Sequence, residues 1–256
     1  MRLLQEASKL GDVQVLLWSD KTASALEGQA PKFPLAERLY LLQAIRYVSR
    51  VTPITGGFER DTLPFLDGIS SEVWVVDETG DNGRKRAFAQ AEGIEYRVFR
   101  SEDLRGFPVE LVRVDDSQPP PKRVVVTGCF DWFHSGHVRF FEEASQLGDL
   151  YVVVGHDENV RLLKGPGHPL FPQDERRYMV QSVRYVRQAL ISTGHGWMDA
   201  EPEIARLKPD MYVVNEDGDR PEKCEFCEGH GLAYVVLKRT PKQGLPRRQS
   251  TDLRGF

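Results

Sequence analysis

Apolar positions fall into alternating rhythms along the second half of the chain. Residues 123–127 form a short β-branched run typical of a buried strand, and Phe140, Phe141, Ala144 and Leu147 lie on one stripe of a helix spanning Val138 to Leu147. The order then repeats. Leu150 to Val154 reads as a strand, Pro172 to Val186 as a helix, Gln188 to Ile191 as a short strand, Glu201 to Arg206 as a helix and Met211 to Val214 as a strand. Strands alternating with helices predict a parallel sheet wound with helices on both faces, where ligands bind beyond the carboxyl ends of the strands.

The same rhythm occurs twice. "RLLQEASKLGDVQVLLWSD" (Arg2 to Asp20) lies over "RFFEEASQLGDLYVVVGHD" (Arg139 to Asp157), and "FPLAERLYLLQAIRYVSR" (Phe33 to Arg50) over "FPQDERRYMVQSVRYVRQ" (Phe171 to Gln188). "VWVVDETGDNGRKRAFAQAEGIEY" (Val73 to Tyr96) likewise lies over "MYVVNEDGDRPEKCEFCEGHGLAY" (Met211 to Tyr234). The fold class predicted is α/β, with two tandem Rossmann-like parallel-sheet domains at residues 1–108 and 123–256. Residues 109–122 link them, ending in the proline-stiffened "DDSQPPPK" (Asp115 to Lys122). Met1 aligns with Val138, so the first copy lacks the strand and turn that precede Val138 in the second. The expectation is that the natural protein starts upstream. The alternative is that "VELVRV" (Val109 to Val114) folds back into the gap.

Composition narrows the function classes. Across 256 residues, 34 Lys and Arg face 38 Asp and Glu, a net charge of −4, so no surface suited to coating a nucleic acid is advertised. Cys129, Cys224 and Cys227 are an odd number of cysteines, which fits reduced thiols and a cytoplasmic location. No apolar run approaches the roughly 18 residues of a membrane span. "CEFCEGH" places Cys224, Cys227 and His230 at ligand-like spacing, but a structural zinc site needs a fourth ligand and none stands nearby.

Chemistry concentrates at "VVVTGCFDWFHSGHVRFFEEASQLGD" (Val124 to Asp149). A strand that ends in "TGCFD" and re-enters as a helix near Ser135 turns unpaired helix N–H groups toward the crevice, an anion-binding arrangement. Gly136 would let a phosphate approach the backbone. His134 and His137, three apart at the helix start, can donate to the same phosphate oxygens as charge builds up. A zinc pair or two surface histidines would account for the pattern as well.

The longer run "GCFDWFHSGHVRFFEEASQLGDLYVVVGHDENVRLLKG" resembles the nucleotidylyltransferase family whose hallmark is H-x-G-H, especially cytidylyltransferases and related adenylyltransferases that activate phosphorylated alcohols and sugars. The resemblance covers nearly the whole second half. It implies that His134 and His137 contact a triphosphate and stabilise the transition state, that Lys164 neutralises phosphates, and that Gly128, Phe130, Asp131, Gly136 and Asp157 bound the nucleotide site. The family's "ER…RYVDEVI" segment is present as "ERRYMVQSVRYVRQALI", which retains Arg184 near the base and the subunit contact, while Arg187 and Gln188 replace its acidic pair. Its closing motif is stretched to "KRTPKQGLPRRQSTDLR": Arg239 and Thr240 match the start, Ser250 and Thr251 the end, and Arg247 and Arg248 add cations. That segment resembles a pyrophosphate clamp.

Such a site needs no covalent nucleophile, because an oxygen of the acceptor's phosphate attacks the α-phosphorus and pyrophosphate leaves. The resemblance implies CTP, with ATP as the alternative donor, Mg²⁺ carried by the triphosphate, and a phosphorylated small-molecule acceptor. Neither nucleic acid nor membrane is an expected partner. The first half has Glu27 where Lys164 stands, Ser101 at Arg239, Val109 and Glu110 at Arg247 and Arg248, and Trp18 at Gly155. It reads as a degenerate copy with a structural or regulatory role. Relatives with one domain per chain commonly pair across the "RYV" segment, so the chain is expected to form an internal pseudo-dimer, with a homodimer also open. A regulatory module that binds a nucleotide without turnover is the competing function.

Overall fold

Both halves of the chain alternate strands and helices in a computed structural model that describes residues 1–56, 59–65, 72–109 and 121–250. The chain divides into two units, Met1–Gln43 with Tyr47–Gly106, and Ala44–Arg46 with Phe107–Phe256. The first contains α1 (Arg2–Ser8), β1 (Gln14–Trp18), α2 (Asp20–Glu27), α3 (Leu35–Gln43), β2 (Arg50–Ile54), β3 (Val73–Asp77), α4 (Gly83–Ala91) and β4 (Glu95–Phe99). β1 pairs in parallel with β2, and β3 with β4. Among the described residues no strand joins the two pairs.

The second unit contains β5 (Arg123–Gly128), α5 (Ser135–Ala144), β6 (Asp149–Val154), α6 (Asp157–Lys164), α7 (Gln173–Gln181), β7 (Val186–Ile191), α8 (Glu201–Leu207), β8 (Met211–Asn215), α9 (Pro221–Gly229) and β9 (Ala233–Leu237). The five strands form one parallel sheet in the order β7-β6-β5-β8-β9. Connections run outward from β5 to β7, then return across β5 to β8. The reversal between β5 and β8 opens a crevice at their carboxyl ends, where Gly128 and Asn215 stand.

Packing explains why β5 is central. Val124, Val125 and Val126 have no solvent exposure, and neither do Val152 and Val154 of β6 beside it. In the sequence alignment of the two halves, β1 and β2 lie over β6 and β7, and β3 and β4 over β8 and β9. The counterpart of β5 is absent from the described residues, and in β1 and β3 burial reaches only Leu17 and Val76. Of the fold-back candidate, Val109 lies outside any strand and 110–114 fall outside the described residues.

Two expected elements change. The helix expected over Pro172 to Val186 stops at Gln181. There the backbone turns to exchange hydrogen bonds with Ala44–Arg46: Arg46 N–H donates to the Ser182 carbonyl at 2.9 Å and Arg184 N–H to the Ala44 carbonyl at 2.8 Å. The antiparallel bridge between them joins Ile45 and Val183, which are matched in the alignment of "IRYV" over "VRYV". β7 accordingly begins earlier than expected, at Val186. α6 is an additional helix, with the His156 ring accepting the Asn159 N–H at its start.

Candidate active site

The crevice is a cleft of about 840 Å³ lined at its floor by Thr127 to Trp132 and by the start of α5. Phe130 makes the turn between them, with φ at 53°, in the left-handed region. Its ring covers Gly128 so closely that a Cβ there would lie 2.8 Å from it. The same ring meets His137 edge-on at 5.3 Å and Phe141 at 5.2 Å. An apolar wedge thus sets the path from strand to helix.

His134 and His137 form the helix cap themselves. His134 is the residue before α5, and its Nδ1 accepts the Gly136 N–H at 3.0 Å. His137 Nδ1 accepts the His134 N–H at 3.4 Å. This is a capping box with imidazoles in both places, a reciprocal use of two helix-end N–H groups. With Nδ1 accepting in each ring, a neutral imidazole carries its proton on Nε2 and can donate there. Burial pushes the His137 imidazole well below its ordinary 6.5, and repulsion from any proton on His134 and from the charges of Arg239 and Lys164 acts in the same direction. His137 is therefore neutral near pH 7, and its Nε2–H is a donor without a net charge.

Gly136 earns its place through the cap. A Cβ at that position would stand 2.8 Å from His134 Cε1 and 2.9 Å from Nδ1. Gly136 also lines the cleft, so the lack of a side chain that accommodates the His134 ring leaves the expectation of a phosphate at its backbone in place.

Lys164, at the exposed end of α6, lines the cleft together with Arg239 and Ser250. Ser250 Oγ lies 3.4 Å from His134 Nε2, the nitrogen that carries the proton when Nδ1 accepts. Arg239 forms an ion pair with Asp217 and donates from Nη2 to the Arg248 carbonyl at 2.8 Å. The stretched closing segment divides here. Thr240, Arg247 and Arg248 line a neighbouring cavity of about 380 Å³ outside the first turn of α5, which shares Gly136 and Arg239 with the cleft. Arg247 pairs with Glu216 at 3.3 Å, and Lys242 with Glu142 at 2.8 Å. Thr251 lies outside the described residues.

A family model described as Cytidylyltransferase-like matches residues 125–239. The FAD synthase of Thermococcus kodakarensis is 40% identical over 119 residues, a match that covers 45% of this chain and 78% of that protein. The chain belongs to the cytidylyltransferase-like family. The bifunctional protein HldE of Pseudomonas putida (strain F1) is 32% identical over 159 residues, or 60% of this chain and 31% of that protein. The chain thus spans under a third of that relative's length. The crystal structure of a lipopolysaccharide core biosynthesis protein from Thermoplasma volcanium covers 48% of this chain at 26% identity, with a TM-score of 0.41.

Two residues suggested by resemblance are not among those that line the cleft of this cytidylyltransferase-like chain. Arg184 donates from Nη2 to the Ile45 carbonyl at 2.9 Å. Asp157 pairs with the buried Arg176 at 2.7 Å, and Arg176 also donates to the carbonyls of Phe171 at 2.9 Å, Cys129 at 2.7 Å and Gly155 at 2.8 Å. The first unit repeats that staple. Arg38 donates to Phe33 at 3.0 Å, Trp18 at 2.9 Å and Asp20 at 2.7 Å, all positions equivalent by sequence. The same arginine-centred staple thus stands in both units.

Other cleft residues carried no sequence signal beyond their place after a strand. Asp217 follows β8. Lys223 reaches in from α9 and donates to the Gly218 carbonyl at 2.9 Å, and burial lowers its pKa. Its counterpart Lys85 makes the same bond to Gly80, which marks it too as architecture. Asp131 lines the cleft, and its carboxylate accepts the backbone N–H groups of Leu170 and Phe171. The "CEFCEGH" residues lie elsewhere: Cys227 is buried, Cys224 faces Glu228, and His230 stacks on Phe226. Among the described residues no helix is long and apolar enough to cross a membrane.

Proposed function

We propose that this chain transfers a nucleoside monophosphate from a nucleoside triphosphate to the phosphate of a small molecule, releasing pyrophosphate. The observation that carries the reading is the histidine capping box, which leaves two Nε2–H donors at a helix N-terminus on the cleft floor. Donors fixed before the substrate arrives do not have to reorganise as charge develops, and this is where such groups contribute most to rate.

An oxygen of the acceptor's phosphate attacks the α-phosphorus in line, the bond to the β-phosphate oxygen breaks, and pyrophosphate departs with its electron pair. His134 and His137 donate to the phosphate oxygens that gain charge, and Lys164 and Arg239 offset it. Arg239 exchanges Asp217 for the triphosphate, while Ser250 holds the nucleotide end of the cleft. Magnesium enters as part of the triphosphate substrate. The two cleft carboxylates, Asp131 and Asp217, are already engaged with backbone N–H groups and with Arg239.

CTP is the donor we favour, on the "RYV" resemblance, and ATP is the alternative. A nucleotide-binding regulatory module is the competing reading. Pyrophosphate release from MgCTP and MgATP with a panel of phosphorylated acceptors separates them: the transferase reading expects release that depends on acceptor. Binding of nucleotide with no release for any acceptor would leave the regulatory reading.

A further inference from the structure

We propose that His168 binds the phosphate of the acceptor, presenting its free ring nitrogen from the side of the cleft that β6 supports. The proposal rests on the transfer reaction above and adds a substrate-binding residue to it.

His168 lines the cleft together with Asp131 and with Lys164, four residues before it. The side chains of His168 and Asp131 are only 15% and 5% exposed, and His168 Nδ1–H donates to Asp131 Oδ2 at 3.4 Å. The same carboxylate accepts the N–H groups of Leu170 at 2.9 Å and Phe171 at 3.0 Å. One buried acid thus fixes both the ring and the backbone just after it. A carboxylate in that role only accepts, so the neutral ring carries its proton on Nδ1 and a lone pair on Nε2. That is the reverse of His134 and His137, whose Nδ1 atoms accept. The cleft therefore holds two histidines set to donate and one set to accept a proton.

An acceptor phosphate fits the third. A phosphate monoester with one proton left donates its P–O–H to Nε2. When the proton crosses, the O–H bond breaks and an N–H bond forms, and the imidazolium donates back to the dianion while Asp131 offsets its charge. Both states hold the same oxygen. Chain order separates this group from those assigned to the triphosphate. Lys164 and His168 follow β6, and the Phe171 carbonyl beside them is tied by Arg176 to Gly155 at the end of that strand. Asp217 follows β8 and Arg239 follows β9, on the other side of β5. His134 and His137 follow β5 itself, so a nucleotide held from the β8 side and an acceptor phosphate held from the β6 side meet over the two donors.

The degenerate copy gives an internal comparison. It reads "EGQAPKF" (Glu27 to Phe33) where the second copy reads "KGPGHPLF" (Lys164 to Phe171), and residues 1–109 contain no histidine. The end of the loop keeps its staple, since the Phe33 carbonyl accepts from Arg38 as that of Phe171 does from Arg176. The cleft lysine and the histidine are gone. Asp131 has no counterpart in residues 1–109 either, so the deciding variant is one that keeps the bond to Asp131 and removes Nε2.

The test uses the full chain saturated with Mg²⁺ and α,β-methylene-CTP or α,β-methylene-ATP, which occupies the triphosphate groups, and titrates inorganic phosphate by calorimetry. His168→Asn keeps an amide N–H for Asp131 where the ring has Nδ1–H and lacks the second nitrogen. It should weaken phosphate binding about tenfold or more, the worth of a charge-assisted hydrogen bond, while the melting shift given by the nucleotide analogue alone stays the same. In the natural chain the NMR resonance of His168 Nε2 should move on adding phosphate, a reading that needs no variant to fold. Unchanged affinity in His168→Asn, an unmoved resonance, or a natural chain that binds no phosphate beside the analogue overturns the proposal. Acceptor-dependent pyrophosphate release tests the transfer reading separately and can stand without it. No melting shift with either analogue removes both.

Discussion

The rings of His134 and His137 stack with centroids 4.0 Å apart and planes 27° from parallel, each ring accepting a backbone N–H at the helix start. Two cationic imidazoles at that distance would repel in a buried setting. The geometry instead suits two neutral rings whose remaining donors face the cleft. H-x-G-H spacing follows from the cap, because a residue before the helix and the third residue within it are the pair that can serve each other's N–H groups. The small residue between them leaves room for the first ring.

His137 should make stability depend on pH. Its folded pKa lies well below 6.5, the value expected when unfolded, through burial first and then through repulsion from any proton on His134 and from the charges of Arg239 and Lys164. Between those two values the unfolded chain binds a proton that the native chain refuses, so stability falls as pH drops below about 6.5 and levels off beneath the folded pKa. Denaturant titrations near pH 8 and near pH 5.5 measure it. His137→Asn should lose less stability over that interval than the natural chain; equal losses would contradict the assignment.

Gly136→Ala puts a methyl group into the His134 ring, 2.8 Å from Cε1. The ring cannot keep both its cap and its place in the cleft. Because misplacement by about 1 Å can cost on the order of 10²-fold in rate, turnover should fall by at least about tenfold. Steady-state pyrophosphate release read beside the melting temperature decides the matter, since a folded variant with full turnover would show that ring placement is unimportant.

Arg176 is 1% exposed and joins α7 to the ends of β5 and β6 through its bonds to Cys129, Gly155 and Asp157. Removing it leaves carbonyls and a carboxylate without their cation, a class of change that costs about 3–5 kcal/mol. Arg176→Met should therefore destabilise strongly. Arg38→Met should act likewise in the first unit, with the Asp20 carboxylate relieved of the cation that lowers its pKa. Chemical denaturation of both variants tests the shared staple; a loss under about 1 kcal/mol in each would refute it.

Much of the second sheet was legible because its strands are valine-rich and its amphipathic helices keep a clear period, as in Val124–Val126 and in Phe140, Phe141 and Ala144. The helix ends were harder. Both α5 and α6 start on a histidine cap, whereas the familiar signals are Ser, Thr, Asp and Asn. The apolar period of "QSVRYV" predicts a longer α7, while its backbone bonds go to Ala44–Arg46, far away in sequence. In the site, the histidines and Lys164 could be found from the motif. The roles of Arg184 and Asp157 could not, because spacing does not tell which way an arginine points or that a carboxylate already serves Arg176. Trp132 and Asp217 carried no spacing signal at all.

The central claim is that two neutral histidines, fixed by one another's backbone, stabilise charge during nucleotidyl transfer. The most direct measurement is acceptor-dependent pyrophosphate release by the natural chain, His134→Ala and His137→Ala at saturating MgCTP or MgATP, with nucleotide-induced melting shifts recorded on the same samples. Each substitution should lower turnover by about 10²–10³ while the melting shift largely persists, because the lost interaction is strongest in the transition state. Turnover unchanged in both variants would contradict the account.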